Sequence, residues 1–174
     1  QYGNITVKRE HSHYTMVFPL SLSEEVELSS VPQEVVNAVG VGSSKPTGAH
    51  KAPNCLMLTY GDEAIIRSAS VNAAVLRQFD TWRVIITAPA DVGNDAGNDT
   101  VSRVFHGGTE DAVCGSAHCT VAPFWARKMS KNTLVGYAAS PRGGTLGLRV
   151  DWDASMLHIT GTAVTVLSGS VRDC

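Results

Sequence analysis

The chain has 174 residues and a formal net charge of −2, and 43% of its residues are hydrophobic while 17% are charged. This composition can fill a hydrophobic core and excludes a disordered chain, and the scattered Lys and Arg residues exclude the basic stripe of a nucleic-acid-binding protein. No apolar run approaches the ~18 residues of a membrane-spanning helix. We therefore expect a soluble, cytoplasmic protein that binds neither nucleic acid nor membranes.

Short strands dominate the first hundred residues. Segments 4–9 and 14–20 alternate apolar and polar residues, which predicts an antiparallel pair. A helix is predicted over 31–39, with Pro32 in its first turn and Gly40 as a left-handed C-cap. The remaining predicted elements are a loop at 41–51, strands near 53–60 and 63–69, a helix at 71–79, a strand at 81–87, an exposed loop at 90–99 and a strand at 101–105.

The rest of the chain contains the one helix with a mostly apolar body, at about 116–128. Strands are predicted after it, at 134–139, 144–151 and 156–167. Many short antiparallel strands and a single apolar helix favour an α+β fold in which an antiparallel β-barrel wraps around a central helix. A doubly wound sheet would instead need a regular alternation of strands and helices.

The cysteines and histidines do not predict a metal site. Widely and irregularly spaced cysteines predict neither a disulfide framework nor a zinc site. His11 and His13 alternate on one strand face, a pattern that can suit a metal ion, but no third ligand accompanies them. A solvated turn is the favoured interpretation. The four cysteines are Cys55, Cys114, Cys119 and Cys174.

The segment around the start of the central helix is the best candidate for chemistry. Glu110 and Asp111 precede the pair Gly115-Ser116, which opens the helix. A helix N-terminus presents unpaired N–H groups and partial positive charge, so it can hold a carboxylate without a basic side chain. Asp111 would lie just outside that end, near enough to exchange a proton. Simple capping of the helix by Asp111 and Ser116 is the competing interpretation.

The order and spacing of motifs in this region resemble those of phenazine-biosynthesis-F-like isomerases, a family of the diaminopimelate-epimerase superfamily. The resemblance implies two similar halves, each a β-barrel around a helix, with the active site between the two helix N-termini. It also implies proton transfer at carbon on a small carboxylate-bearing substrate, without metal or organic cofactor. The matching residues are Glu110-Asp111-Ala112-Val113-Cys114-Gly115-Ser116-Ala117-His118, Phe124-Trp125 and Ser140-Pro141-Arg142-Gly143-Gly144.

The resemblance also assigns roles to individual residues. The expected catalytic residues are Asp111, Ser116 and Cys114, and the expected substrate-binding residues are Gly115, Ser116, His118 and Arg142. Cys114 stands where Thr is common in the family, and a thiol at a helix N-terminus would have a lowered pKa, which makes acid/base chemistry possible, but a small buried thiol is the favoured interpretation. His118 also fits a hydrogen-bonded structural histidine, and Arg142 fits either a carboxylate ligand or a residue of a tight turn.

The resemblance covers only the second half of the family's fold. Residues 1–21 are expected to be the last strands of the first half, and residues 22–174 the second-half barrel. The family's principal acid/base is a glutamate in the first half, so we expect this chain alone to be inactive. A homo-oligomer, such as a dimer, or a partner chain carrying the first half would then cover the apolar residues of the leading strands, which are Val7, Met16, Val17, Phe18 and Leu20. The alternative is a non-catalytic ligand-binding or interaction protein that retains the fold.

Overall fold

The computed structural model describes residues 5–53, 55–79, 83–93 and 97–170. Within these ranges no helix combines the length and the apolar character that crossing a membrane requires. The helices are α1 (Gln33–Ala38), α2 (Glu63–Ser68), α3 (Ala73–Leu76) and α4 (Gly115–Met129). The strands are β1 (Thr6–Glu10), β2 (His13–Pro19), β3 (Glu24–Val26), β4 (Gly48–Ala52), β5 (Cys55–Thr59), β6 (Arg83–Pro89), β7 (Thr100–His106), β8 (Thr109–Asp111), β9 (Thr133–Ala138), β10 (Gly144–Asp151) and β11 (Met156–Thr162).

All eleven strands belong to one mixed sheet. Its order is β1-β2-β11-β10-β9-β7-β6-β5-β4-β3, with β8 paired to β7 off this path. Most neighbours are antiparallel, but β5 pairs with β6 and β7 pairs with β9 in parallel. A parallel pair needs a crossover connection, and the two crossovers contain α2 with α3 and β8 with α4.

Helix α4 lies against the concave face of this sheet. Buried residues of α4 share one apolar cluster with residues of β2, β11, β10, β9, β7, β6 and β5, which are adjacent strands in the sheet. Seven flat strands would span about 29 Å, whereas a helix is about 10–12 Å across. A single helix can therefore join all seven strands only because the sheet curves around it.

A second cluster lies on the opposite face of β5 and β6. Met57 and Ile85 face the α4 cluster, whereas their strand neighbours Leu56 and Ile86 face the second cluster. Successive side chains in a strand point to opposite faces, so two strands with both faces buried can serve both cores. Helices α1, α2 and α3 contribute apolar residues to this second cluster.

The proline inside α4 ties the helix to the segment that follows β2. Pro123 has no N–H, so the carbonyl oxygen of Cys119, four residues earlier, loses its partner within the helix. The N–H of Ser21 donates to that oxygen at 3.0 Å. The link that leaves β2 is thereby fixed to the middle of α4.

His118 connects the start of α4 to β7. The side chain is fully buried, and its Nδ1 donates to the carbonyl oxygen of Cys114 at 2.8 Å. That bond leaves Nε2 as an acceptor for the hydroxyl of Ser102, at 3.5 Å. Burial lowers the pKa of His118, while the bond to the Cys114 carbonyl and the charge of Asp111 oppose this shift. The imidazole is therefore a neutral structural group in the core.

The structure confirms several sequence predictions. The leading strands pair antiparallel, with Val7 opposite Met16, and the apolar helix is present with one more residue at each end. Gly40 adopts a left-handed φ of 59°, and a Cβ there would lie 2.0 Å from the carbonyl oxygen of Ser70. The coarse α+β prediction holds as well, since the fold combines a large sheet with packed helices.

Other predictions were wrong. Among the described strands the sheet is not closed into an antiparallel barrel, because its path ends at β1 and β3 and includes two parallel pairs. Residues 63–69, expected as a strand, form α2, and the side chain of Asp62 accepts from the N–H of Ala64 to cap it. The expected loop 41–51 contains most of β4.

The leading strands also differ from expectation. β2 pairs with β11 along its whole length, and Phe18 is only 7% exposed, so the expectation that Phe18 lies on an uncovered face is wrong. Val7 on the edge strand β1 is 56% exposed. The assignment of residues 1–21 to a separate half stays a prediction, and part of the predicted 90–99 loop lies outside the described residues.

The position of Phe18 leads to a test of the β2–β11 pairing. Phe18→Ala should lower the free energy of unfolding by about 3–5 kcal/mol, because it leaves a cavity in the α4 cluster. Val7→Ala, on the exposed strand of the same hairpin, should change it by less than about 0.5 kcal/mol. Urea unfolding followed by circular dichroism measures both. Equal midpoints for the two variants would show that β2 is not part of the core.

The burial of His118 predicts a pH dependence of stability. Its folded-state pKa is lowered from 6.5, so below about pH 6.5 the unfolded chain binds more protons than the folded chain. The free energy of unfolding therefore decreases as the pH is lowered through this range. One such histidine contributes a slope of at most about 1.4 kcal/mol per pH unit. His118→Asn keeps a donor for the Cys114 carbonyl and should flatten the decline between pH 7.5 and 5.5. His13→Asn, at an exposed position, is the control, and an unchanged slope in His118→Asn would contradict the assignment.

Candidate active site

A tight hairpin brings Asp111 to the start of α4. Gly107 and Gly108 connect β7 to β8 with φ values of 59° and 80°. A two-residue hairpin with positive φ at both central positions is the type I′ turn, which glycine adopts without strain. In the resulting register Asp111 lies opposite Val104, and its side chain is exposed.

An ion pair next to Asp111 fixes this hairpin. Arg103 binds Glu110 through two hydrogen bonds, of 2.7 and 2.8 Å, and both side chains are largely buried. The remaining guanidinium nitrogen donates to the carbonyl oxygen of Ala69 at 2.6 Å, beyond the end of α2. Paired Arg–carboxylate bonds of this kind have a defined geometry. Glu110 is thus a positioning residue, and its neighbour Asp111 is free to face the solvent.

The first turn of α4 is not capped by the side chain that precedes it. Cys114 occupies the N-cap position with φ −90° and ψ 93°, and its side chain forms no capping hydrogen bond. Gly115 and Ser116 are half-buried. The first N–H groups of a helix have no partner within the helix, so this end presents donors and partial positive charge. These two residues therefore form a small anion-accepting surface.

Met16 and Ile159 form the side wall of this surface. A Cβ added to Gly115 would lie 3.8 Å from Cδ1 of Ile159 and 3.9 Å from Cε of Met16. These two side chains come from β2 and β11, which pair directly across this position. The sequence contained no local signal for this proximity, because it depends on pairing between the two ends of the sheet.

The thiol of Cys114 does not have the expected lowered pKa. Burial is the largest influence and raises its pKa, and a hydrogen bond with Asp111 raises it further. The hydroxyl of Ser116, whose oxygen is 3.5 Å from Sγ, acts in the opposite direction but is weaker. Cys114 is therefore a protonated, buried thiol at neutral pH, which agrees with the interpretation of a small buried thiol, and its catalytic role stays a prediction. Asp111 lies within hydrogen-bonding range of it.

Of the two remaining predicted binding residues, one does not reach the surface. His118 is fully enclosed by the core and bonded on both sides, so the expectation that it contacts a substrate was wrong. Arg142 is exposed, and within the described part of the chain it forms no hydrogen bond or ion pair. It lies on the turn 140–144, next to the segment that leads from β8 into α4.

Two contacts hold that turn in place. The hydroxyl of Ser140 donates to the carbonyl oxygen of Ala112 at 2.7 Å and accepts from the N–H of Gly143 at 3.1 Å. A Cβ on Gly144 would lie 2.4 Å from Cγ2 of Val113, so only glycine allows this approach. The structure thus brings together Asp111, Cys114, Gly115 and Ser116. The turn that carries Arg142 packs against Ala112 and Val113, which lie between Asp111 and Cys114.

Comparison with known proteins gives the context for this site. A family model described as "Phenazine biosynthesis-like protein" matches residues 3–169. Uncharacterized isomerases of Halalkalibacterium halodurans and Pseudomonas aeruginosa are 31% and 32% identical to the chain, over 95% and 98% of its length. The chain spans only 60% and 61% of the length of these two relatives.

Solved structures agree with the sequence relatives. A putative phenazine biosynthesis PhzC/PhzF protein from Clostridium difficile superposes with a TM-score of 0.80 at 32% identity, covering 97% of this chain and 61% of that one. A predicted epimerase from Pseudomonas aeruginosa shares the fold, with a TM-score of 0.55 at 14% identity. The chain therefore belongs to the phenazine biosynthesis-like protein family.

Proposed function

We propose that this chain supplies one wall of an isomerase active site that moves a proton at carbon on a small carboxylate substrate, without metal or organic cofactor. The observation that carries the proposal is the position of the Asp111 carboxylate beside the uncapped N-terminus of α4. The names of the two bacterial relatives, both isomerases, support the same class of reaction.

The N-terminus of α4 would hold the substrate carboxylate. The N–H groups of Gly115 and Ser116 donate to its oxygens, and the Ser116 hydroxyl adds a third donor. When a proton leaves the neighbouring carbon, negative charge accumulates on these same oxygens. Fixed donors that strengthen their bonds as this charge develops lower the barrier without reorganising.

Asp111 would exchange a proton with the substrate. Its carboxylate is exposed at the mouth of the site, and the bidentate bond of Glu110 to Arg103 keeps its strand in place. A carboxylate that can reach the substrate can act as a general base or, once protonated, as a general acid. The buried thiol of Cys114 lies behind Asp111 as a hydrogen-bond partner, in its protonated form.

A complete reaction needs a second acid/base on the opposite face of the substrate. Residues 1–174 cover about three fifths of the two bacterial relatives, and the family resemblance assigns a glutamate to the part that lies outside this match. We propose that the missing group comes from that first half, in the same polypeptide or in a partner chain. The wall described here then provides the carboxylate clamp and one proton-transfer group.

The clamp can be tested by carboxylate binding. Titration with benzoate, at constant ionic strength, should shift the backbone amide resonances of Gly115 and Ser116. Gly115→Ala adds a methyl group that the neighbouring side chains accommodate, but that covers the donors, so the affinity should fall at least about tenfold, close to 1.4 kcal/mol. Gly161→Ala, where an added Cβ meets no atom within 4 Å, is the matched control. Equal benzoate affinity in the two variants would contradict carboxylate binding at the N-terminus of α4.

Proton transfer is tested by deuterium incorporation from D₂O into 2-amino and 2-hydroxy carboxylates. A polypeptide of residues 1–174 should incorporate none at carbon, because it provides only one wall. The full-length relative from Halalkalibacterium halodurans should incorporate deuterium, and asparagine at its position equivalent to Asp111 should reduce the rate at least about a hundredfold, the usual contribution of a general acid or base. Exchange by residues 1–174 that survives Asp111→Asn and is lost in Cys114→Ser would make the thiol the acid/base instead.

A further inference from the structure

A second cavity lies at the opposite end of α4 from Gly115. Its volume is about 460 Å³, and it lies between the edge strand β3, its neighbour β4 and the last turns of the helix. Phe124 on its wall is nine residues beyond Gly115, or about 13 Å along the helix axis. The volume lies within the range of about 300–1,000 Å³ that is typical of small-molecule sites. It is separate from the proposed active site.

Gly48 and His50 shape the floor of this cavity. A Cβ on Gly48 would lie 3.0 Å from Oγ1 of Thr59 and 3.2 Å from Nε2 of His50, so these two side chains pack closely over the Gly48 backbone and a larger residue would displace them. Both Gly48 and His50 line the cavity and lie on the same face of β4, two residues apart. The imidazole therefore points into the cavity.

His50 has no hydrogen-bond partner there. The residue is only 8% exposed, and its ring packs against that of Phe124 with centroids 4.6 Å apart. Within the described part of the chain neither ring nitrogen forms a hydrogen bond. Because His50 lines the cavity, its ring nitrogens are available to a ligand that enters it. Burial lowers its pKa, so the neutral ring offers one acceptor and one donor.

The rim of the cavity carries charges of both signs. Glu25 on β3 stands directly opposite His50 on β4, so their side chains share one face of the strand pair. Arg127 and Lys128 line the other side, from the last turn of α4. Across the described residues none of these three forms an ion pair, and the two cations instead lie over aromatic rings, those of Trp152 and Phe124 respectively.

We propose that this cavity binds a small zwitterion, a free amino acid with an apolar side chain. Its ammonium group lies between Glu25 and the acceptor nitrogen of His50, and its carboxylate lies toward Arg127 and Lys128. Its side chain packs on Phe124 and the neighbouring Pro123. Glu25 would repel a ligand that is only an anion, and Arg127 and Lys128 would repel a ligand that is only a cation. A molecule that carries both charges therefore fits the rim better than either.

L-phenylalanine is a suitable probe, and His50 is the reporter. The ring C–H resonance of His50 should shift saturably as L-phenylalanine is added. Phenethylamine keeps only the ammonium group and 3-phenylpropionate keeps only the carboxylate, and each should bind at least about tenfold more weakly. No saturable shift of His50 up to about 10 mM L-phenylalanine, or equal affinity for 3-phenylpropionate, would overturn the proposal.

Variants separate this cavity from the proposed active site. Gly48→Ala places a methyl group against Oγ1 of Thr59 and Nε2 of His50, so it should displace the His50 ring and abolish the His50 shift, whereas Gly161→Ala should leave it unchanged. Glu25→Gln should weaken L-phenylalanine at least about tenfold and leave 3-phenylpropionate unaffected. The amides of Gly115 and Ser116 are observed in the same spectra. If L-phenylalanine shifted only those amides, the proposed cavity site would be overturned and the proposed function would stand. If the amides did not respond to benzoate while His50 responded to L-phenylalanine, the proposed function would be overturned and the cavity site would stand.

Discussion

The burial of α4 is the constraint on which the rest of this structure depends. Most of its fifteen residues are buried, including the polar side chains of His118 and Thr120. A helix that is covered on almost every side needs a partner surface that bends around it, which seven adjacent strands provide. Two polar links adapt the helix to this enclosure: Ser21 takes the carbonyl that Pro123 frees, and His118 joins the first turn to β7. These two links fix the first turn and the middle of α4 within the curved sheet.

The proposed active site follows from that enclosure. The first turn of α4 reaches the surface between β2 and β11 on one side and the β7–β8 hairpin on the other. The same burial that fixes this turn makes Cys114 a poor thiolate, because a charged sulfur would lose its hydration. The exposed Asp111 does not have this disadvantage. Here, desolvation opposes the effect of the helix N-terminus on the pKa of the thiol and outweighs it.

Local patterns in the sequence correctly predicted those features of the fold that depend on interactions between nearby residues. The β1–β2 hairpin, the apolar helix and the left-handed Gly40 all followed from alternation, composition and backbone freedom. The prediction of a strand at 63–69 was wrong because Asp62, a standard N-cap residue, starts a helix there. The parallel pairs, the place of Met16 beside Gly115 and the burial of Cys114 depend on contacts between distant segments. The residues of the motif around Asp111 lie together at the start of α4 because they are contiguous, and their role as a site stays a prediction.

The pairing of β2 with β11 has a consequence for how the chain is made. β2 ends at Pro19, but the strand that completes its pairing begins only at Met156. At about 5–20 residues per second, the ribosome needs on the order of ten seconds to synthesise the intervening chain. During that interval the first hairpin has formed its turn, yet Phe18 has neither its strand neighbour nor the finished core to cover it. A nascent chain of this protein therefore exposes the apolar side chain of Phe18 until β11 has been synthesised.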